Sequence, residues 1–359
     1  MEGTGFLLYG ANGYTGELIA RHAIEYGLRP ILAGRSHAAT SALAKRLDMD
    51  FQVFDVNDKT SLLSALRNVR VVVNAAGPFQ FTARQIIEAC LETGTHYIDI
   101  NGDLAVFEMI RNYDAAAKQS RIMLLPGAGF DVVPTDCLAL FLKKNLPSAT
   151  HLKLAFATIG GGLSHGTATT MIAKLGEGGA VRKNGQIIRS RLGEKGMWVD
   201  FGEKKLFTIT IPWGDIATAY YTTGIPDIES YTGMPRKIFF LLKLQGAFNW
   251  LLRKKFIRAY LRKKINKRPA GPSDAQRTRA ISLVFGAATD DTGNIATATM
   301  KGPEGYTLTT YSCLLIVKKI LSGNYVTGYQ TPALAYGEDL VLEVPGVTRS
   351  KIHIGKFEV

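Results

Sequence analysis

Along the first 145 residues, short apolar runs alternate with stretches whose apolar residues recur every three or four positions. The runs lie at 5–9, 30–33, 51–55, 69–75, 96–100 and 122–126, and helical spacing fills 17–26, 38–47, 60–66, 82–93 and 104–118. Repeated strand–helix alternation predicts parallel βαβ units, hence an α/β fold built on a doubly wound parallel sheet with helices on both faces. After a predicted helix at 134–146 the texture changes. Residues 151–158, 205–211, 217–223, 280–285, 294–300 and 307–310 alternate or run apolar between Gly-rich turns, which predicts a second, α+β domain with a mixed or antiparallel sheet. Within it, 237–265 reads as one long helix, followed by a linker containing Pro269 and Pro272. The expected division is 1–148, 149–325 and 326–359, the last segment carrying a helix at 331–342 and packing back on the first domain.

The chain of 359 residues, 46% hydrophobic, is long enough for two cores and too apolar to be disordered. No run of about 18 uncharged apolar residues occurs, so no membrane-spanning helix is expected. The early apolar run at Gly5–Tyr9 leaves no room for a targeting peptide in this reading. Cys90, Cys137 and Cys313 are widely spaced and form no Cys-x-x-Cys, as expected of reduced thiols in a cytoplasmic protein. The six histidines are scattered, and no metal site is expected.

Gly10-Ala11-Asn12-Gly13-Tyr14-Thr15-Gly16 follows the first predicted strand and opens the first helix. Glycines there permit a tight turn and close backbone approach, while the helix N-terminus offers N–H groups to a pyrophosphate. The same residues also suit an ordinary tight turn. The strand before, the helix after and four further βα units favour a dinucleotide site on a Rossmann sheet. An NAD site usually places an acid about 20 residues on, at the end of the second strand. This chain has Arg35 and Ser36 there, a cation and a hydroxyl suited to the 2′-phosphate of NADP(H), or else a surface arginine at a loop. Asp55 and Val56 close the third strand, facing the adenine in this reading. Ala75, Ala76 and Gly77 follow the fourth, where small residues let backbone lie along the nicotinamide ribose. Each of these also reads as a cap or a packed turn.

These phrases line up with Asn-Ala-Ala-Gly-Pro-Phe at 74–79, His-Tyr-Ile-Asp-Ile-Asn-Gly-Asp at 96–103 and Gly-Phe-Asp-Val-Val-Pro-Thr-Asp at 129–136. Together they resemble the saccharopine dehydrogenase-like oxidoreductases, a group that includes trans-acting enoyl reductases. The likeness is dense over 5–140 and looser at 161–167 and 331–337. It implies an NADP-binding Rossmann domain and a second, mostly β domain closing over the nicotinamide. By position, Gly10, Gly13 and Gly16 would hold the pyrophosphate, and Arg35 with Ser36 the 2′-phosphate. Lysine-pathway members usually carry a Gly-x-Gly-x-x-Gly turn and inward arginines for a substrate with several carboxylates. Neither feature is found here.

Reduction of a carbonyl, imine or conjugated alkene needs a proton donor beside the hydride. Asp99, Asn101 and Asp103 follow the fifth strand, Asp131 and Asp136 the sixth, and Ser164 lies in the Gly-rich segment 160–167. Any of these acids, or Tyr14 in the glycine loop, could donate or relay a proton. Asp99, Asn101 and Ser164 are the favoured candidates for polarising or protonating a substrate, although several of these residues also suit helix caps. Gly162–Gly166 matches a hydrolase nucleophile elbow, but it lies in the second domain and no Asp…His order follows it. Tyr260 and Lys264 repeat a short-chain reductase spacing outside the Rossmann strands, a coincidence. The expected function is NADPH-dependent reduction of an unsaturated or carbonyl group in a hydrophobic, lipid- or polyketide-like substrate, in the manner of an enoyl reductase. The alternatives are a non-catalytic NADP-binding sensor or scaffold docked on lipid, and a saccharopine-type amino-acid dehydrogenase.

The net charge is +13, and residues 236–279 hold 14 Lys/Arg against one acid, Asp274, so this segment accounts for the whole imbalance. At helical spacing Lys243, Lys254, Arg258 and Arg262 share one side of 237–265, with Leu and Phe opposite. Three readings stand: a packed domain helix with a solvated basic side, a helix lying in an anionic membrane surface or on an acyl chain, and contact with another polyanion such as an acyl carrier. Nucleic acid is the weakest of the polyanions. The location expected is cytoplasmic, with a membrane-peripheral variant, and the oligomeric state stays open, a homodimer included.

Overall fold

The computed structural model describes residues 5–174, 176–245, 254–265 and 267–356. The chain divides into two compact units, Met1–Asp131 with Tyr306–Ala335, and Val132–Gly305 with Tyr336–Val359. The first division falls at 131 rather than 148, and the returning segment is 306–335, with the remaining tail in the second unit.

In the first unit, β1 (Phe6–Tyr9), β2 (Ile31–Gly34), β3 (Phe51–Val53), β4 (Val71–Asn74), β5 (His96–Asp99) and β6 (Met123–Leu125) are all parallel. Their spatial order is β6-β5-β4-β1-β2-β3, and Gly328–Tyr329 adds a further parallel strand beside β6. Every residue of β1, β4 and β5 is buried, as a sheet covered on both faces requires. Strand order reverses between β1 and β4, which opens a crevice at their carboxyl ends. The helix expected at 104–118 is two, Leu104–Arg111 and Asp114–Gln119. Asp114 starts the second and accepts the Tyr329 N–H (2.8 Å), a tie that the local pattern does not reveal. The stretch 307–310, expected as a strand, lies inside the helix Gly305–Leu321. This helix is buried on most sides and so lacks a polar stripe, and Thr309 Oγ1 docks it by accepting the Phe130 N–H (2.9 Å).

The second unit is a mixed sheet formed by β7 (His151–Ile159), β8 (Gly179–Lys183), β9 (Gln186–Ser190), β10 (Gly196–Asp200), β11 (Lys205–Thr210), β12 (Asp227–Gly233), β13 (Ile281–Thr289) and β14 (Asn294–Pro303). The order is β10-β11-β12-β7-β13-β14, with the hairpin β8–β9 joined at β12 and the segments 348–349 and 353–356 on β14. Ladders are antiparallel except β12 with β7. The strand pattern did not reveal β8, β9, β10 or β12, which are short or carry charges between their apolar residues. The stretch 217–223, expected as a strand for its β-branched and aromatic residues, is the helix Asp215–Thr223. Its first residue is a fully buried Asp215 that accepts from Thr135 and Ser230, and Gly224 (φ +71°) ends it. Of the predicted long helix, Arg236–Gln245 and Lys255–Ile265 are helical, while 246–253 lies outside the described residues. The tail holds Pro332–Tyr336 and a 3₁₀ turn at Leu340–Glu343 in place of one helix.

The helix Val133–Asn145 covers one face of this second sheet. Gly286 of β13 admits it, because a Cβ there would lie 2.6 Å from Leu142 Cδ1 and 3.0 Å from Leu138 Cδ2. Gly286→Val should therefore destabilise the protein by about 1–3 kcal/mol through overpacking. Thermal and urea unfolding measure this, and an unchanged midpoint would contradict the packing.

Candidate functional site

The glycine loop leaves β1 with Gly10 at φ +84°, its N–H donating to Ala33 O (2.8 Å) on the neighbouring β2. A Cβ on Gly10 would fall 2.7 Å from Ala76 N, so backbone passes directly over backbone at the point where the strand order reverses. A Cβ on Gly16 would lie 2.3 Å from the Gly10 carbonyl oxygen. Gly13 precedes the helix Tyr14–His22 and offers it no capping side chain, which leaves the helix start to be satisfied from outside. Asn12 and Gly13 are exposed, and Tyr14 and Thr15 half-buried. The Tyr14 ring stacks edge-on against Tyr306 (5.0 Å between centroids), 292 positions along the chain.

At the end of β2, Arg35 is exposed and forms no ion pair among the described residues. Burial and Asp55 raise the Tyr9 phenol, and the positive charge of Arg35 opposes that rise. Ser36 caps the helix His37–Leu47, its Oγ accepting the Ala39 N–H (3.3 Å). Behind it, the fully buried Thr40 Oγ1 has no hydrogen-bond partner, and Asn12 Oδ1 lies close over Gly34. A cradle that a Cβ would fill, an exposed cation, a helix start and an orphaned hydroxyl all suit a phosphorylated dinucleotide. Asp55 is half-buried and accepts from the Asn57 N–H (2.9 Å) and Nδ2 (2.7 Å), closing a turn, while Val56 is buried. Ala75 and Ala76 are half-buried and Gly77 exposed, held by the Ala75 N–H to Tyr9 O (2.8 Å) and the Ala76 N–H to Asn74 Oδ1 (3.1 Å).

Asp99 and Asn101 belong to a buried network. Asp99 Oδ1 accepts from Asn101 N–H (3.1 Å), Asn101 Nδ2 (2.8 Å) and Gly127 N–H (2.9 Å), and Oδ2 accepts from Tyr97 (2.8 Å). Asn74 Nδ2 donates to the same Tyr97 hydroxyl (3.2 Å). Desolvation raises the Asp99 pKa, and these four donors pull the other way. The network ties the ends of β4 and β5 to the turn after β6. Tyr97 and Asn74 read as ordinary strand residues, so nothing local announced their part in it. Asp103 accepts the Ala105 N–H (3.0 Å) as a helix cap. Ser164 lies in the second unit, buried, capping the helix His165–Ala173 through the Thr167 N–H (3.2 Å). Asp136, also in that unit, is fully buried and accepts from Thr222 (2.6 Å). Asp131 follows β6 beside the turn after β5, where a Cβ on Gly102 would lie 2.7 Å from its Oδ2, and desolvation pushes it up to about 7.

Residues 6–125 match the saccharopine dehydrogenase NADP-binding domain. The chain is 28% identical over 208 residues to a lipid droplet localized protein of Caenorhabditis elegans, covering 53% of this chain and 49% of that protein. It is 33% identical over 140 residues to a trans-acting enoyl reductase of Mycobacterium leprae, covering 36% of this chain and 33% of that one. The chain thus spans half or less of the length of these relatives. In three dimensions it resembles apo saccharopine dehydrogenase (L-Glu forming) of Saccharomyces cerevisiae, with a TM-score of 0.67 at 12% identity over 98% of this chain and all of that one, a likeness of fold.

Arg35→Ala should weaken NADPH binding roughly 10- to 100-fold, the worth of one charge-assisted phosphate contact, with little change for NADH. Titration by nicotinamide fluorescence reads both. Equal losses for the two cofactors would place the 2′-phosphate elsewhere.

Proposed function

Because residues 6–125 are an NADP-binding domain of the saccharopine dehydrogenase type, we propose that the protein is an NADPH-dependent reductase acting on an unsaturated or carbonyl group of a hydrophobic substrate. The observation that carries the cofactor choice is Arg35, exposed and without an ion pair among the described residues, where an NAD site would place an acid. NADPH supplies the hydride when bound. Gly10, Gly13 and Gly16, with Asn12, Tyr14 and Thr15, cradle the pyrophosphate. Arg35 and Ser36 take the 2′-phosphate, Asp55 and Val56 border the adenine, and Ala75–Gly77 lie along the nicotinamide ribose. The substrate class draws support from the enoyl reductase relative and from the relative named for lipid droplets. A saccharopine-type reaction would need a set of arginines for several carboxylates, which the sequence pattern does not display.

Among the strand-end acids that the sequence offered, Asp131 is a better proton source than the favoured Asp99, Asn101 and Ser164. Asp99 and Asn101 are spent on one another and on the strand ends, and Ser164 on a helix start, so all three are assigned positioning parts. Asp131 sits at the carboxyl end of the parallel sheet and holds its proton to about pH 7, which suits a general acid. Asp131→Asn should retain NADPH binding and lower kcat by roughly 10²–10⁴ on enoyl or keto acyl substrates. Since only the protonated carboxyl donates, wild-type kcat should fall as pH rises through about 7, and the variant should lose that fall. A wild-type profile flat across that range would remove Asp131 from the chemistry. Tight NADPH binding without turnover on any enoyl or keto substrate would favour a sensor.

A further inference from the structure

The second unit exposes large apolar side chains among cations on two helices. On Arg236–Gln245, Ile238, Phe240 and Leu241 face solvent, Leu241 at 65% exposure. Phe239 seats this helix on Phe207 of β11 (5.4 Å between ring centroids), and Phe207 packs on Trp198 of β10 (5.6 Å), itself 56% exposed. The Arg236 guanidinium lies 5.6 Å from the centroid of Phe240. Beside Trp198 opens a mostly apolar cavity of about 400 Å³, lined by Ile159, Leu206, Phe207 and Met234 among others. Helix Lys255–Ile265 packs against His165–Ala173, yet its Phe256 and Tyr260, one turn apart, are each 67% exposed. Lys254, Lys263 and Lys264 are exposed around them, and Met171 is exposed on the neighbouring helix.

A helix that served only to pack a domain would turn its aromatic residues inward and its lysines out. Here both kinds point to solvent. From this combination we infer that the two helices dock the protein on an anionic lipid surface. The aromatic and aliphatic side chains enter the interface, and the Lys/Arg side chains meet the acidic head groups. Charge complementarity selects the partner, since 236–279 carries 14 cations and a single acid. Ile238, Leu241 and Met171 have no counterpart on a nucleic-acid backbone, whereas a lipid interface accepts apolar and cationic groups together. No helix among the described residues is long and apolar enough to cross a membrane. The inference is independent of the reductase reading.

The test is flotation of the full chain with phosphatidylcholine vesicles, with and without phosphatidylserine, reading NADPH binding in the same samples. The expected result is binding to the phosphatidylserine vesicles that weakens with salt. Phe256→Ser/Tyr260→Ser and Lys263→Glu/Lys264→Glu should each reduce it roughly tenfold while NADPH binding holds. Absence of flotation with anionic vesicles would overturn the inference, as would unchanged binding in both double variants. So would an oligonucleotide held tightly by a protein that ignores vesicles.

Discussion

At the carboxyl end of β1, backbone packs on backbone with no room for a single carbon between. The Gly10 α-carbon faces the Ala75–Ala76 peptide, and the Gly16 α-carbon faces the Gly10 carbonyl. Any other residue at either position would push the first helix away from the sheet or the loop away from β4. Because contact is that close, the start of helix Tyr14–His22 stands directly over the point where strand order reverses. The elements that border the crevice then follow from chain connectivity. The end of β2 brings Arg35, the end of β3 brings Asp55, and the end of β4 brings Ala75 to Gly77.

A second constraint works beneath the first. Asp99 is fully buried, a position that strongly disfavours a carboxylate unless donors surround it. Backbone N–H groups from Asn101 and Gly127, the Asn101 amide and the Tyr97 hydroxyl meet that need. They join the turns after β5 and β6, so the shape of the crevice wall depends on them. An acid at a strand end invites a catalytic reading, yet four donors spread over both its oxygens point to a structural one. Asp131 differs in kind: its carboxyl lies against the small Gly102, and desolvation raises its pKa to about 7.

The second unit follows another logic. Its sheet is mostly antiparallel, with Gly286 giving way to Leu138 and Leu142 of the helix Val133–Asn145 on one face. Asp215 and Asp136, both fully buried, are held by hydroxyls from Thr135, Ser230 and Thr222, so polar groups as well as apolar ones define this interior. The positive charge is confined to one stretch of this unit, while the rest of the chain is balanced.

By itself the sequence determined the parallel sheet, the glycine loop and the cation that stands at the end of β2. Each is written in a local pattern: a run of buried strand residues, glycines at turns, a cation where an acid would otherwise stand. Tertiary structure alone decided what depends on distant partners. Residues 217–223 and 307–310 carry extended-looking side chains, but both lie in helices, the first opened by the buried Asp215 and the second tied to Phe130 through Thr309. Beside its chain neighbours Tyr97 and Asn101, Asp99 takes a donor from Gly127 in the turn after β6, and Tyr306 reaches Tyr14 across most of the chain. Hydrogen-bond saturation and desolvation are properties of what surrounds a group in space, and spacing along a chain does not record them.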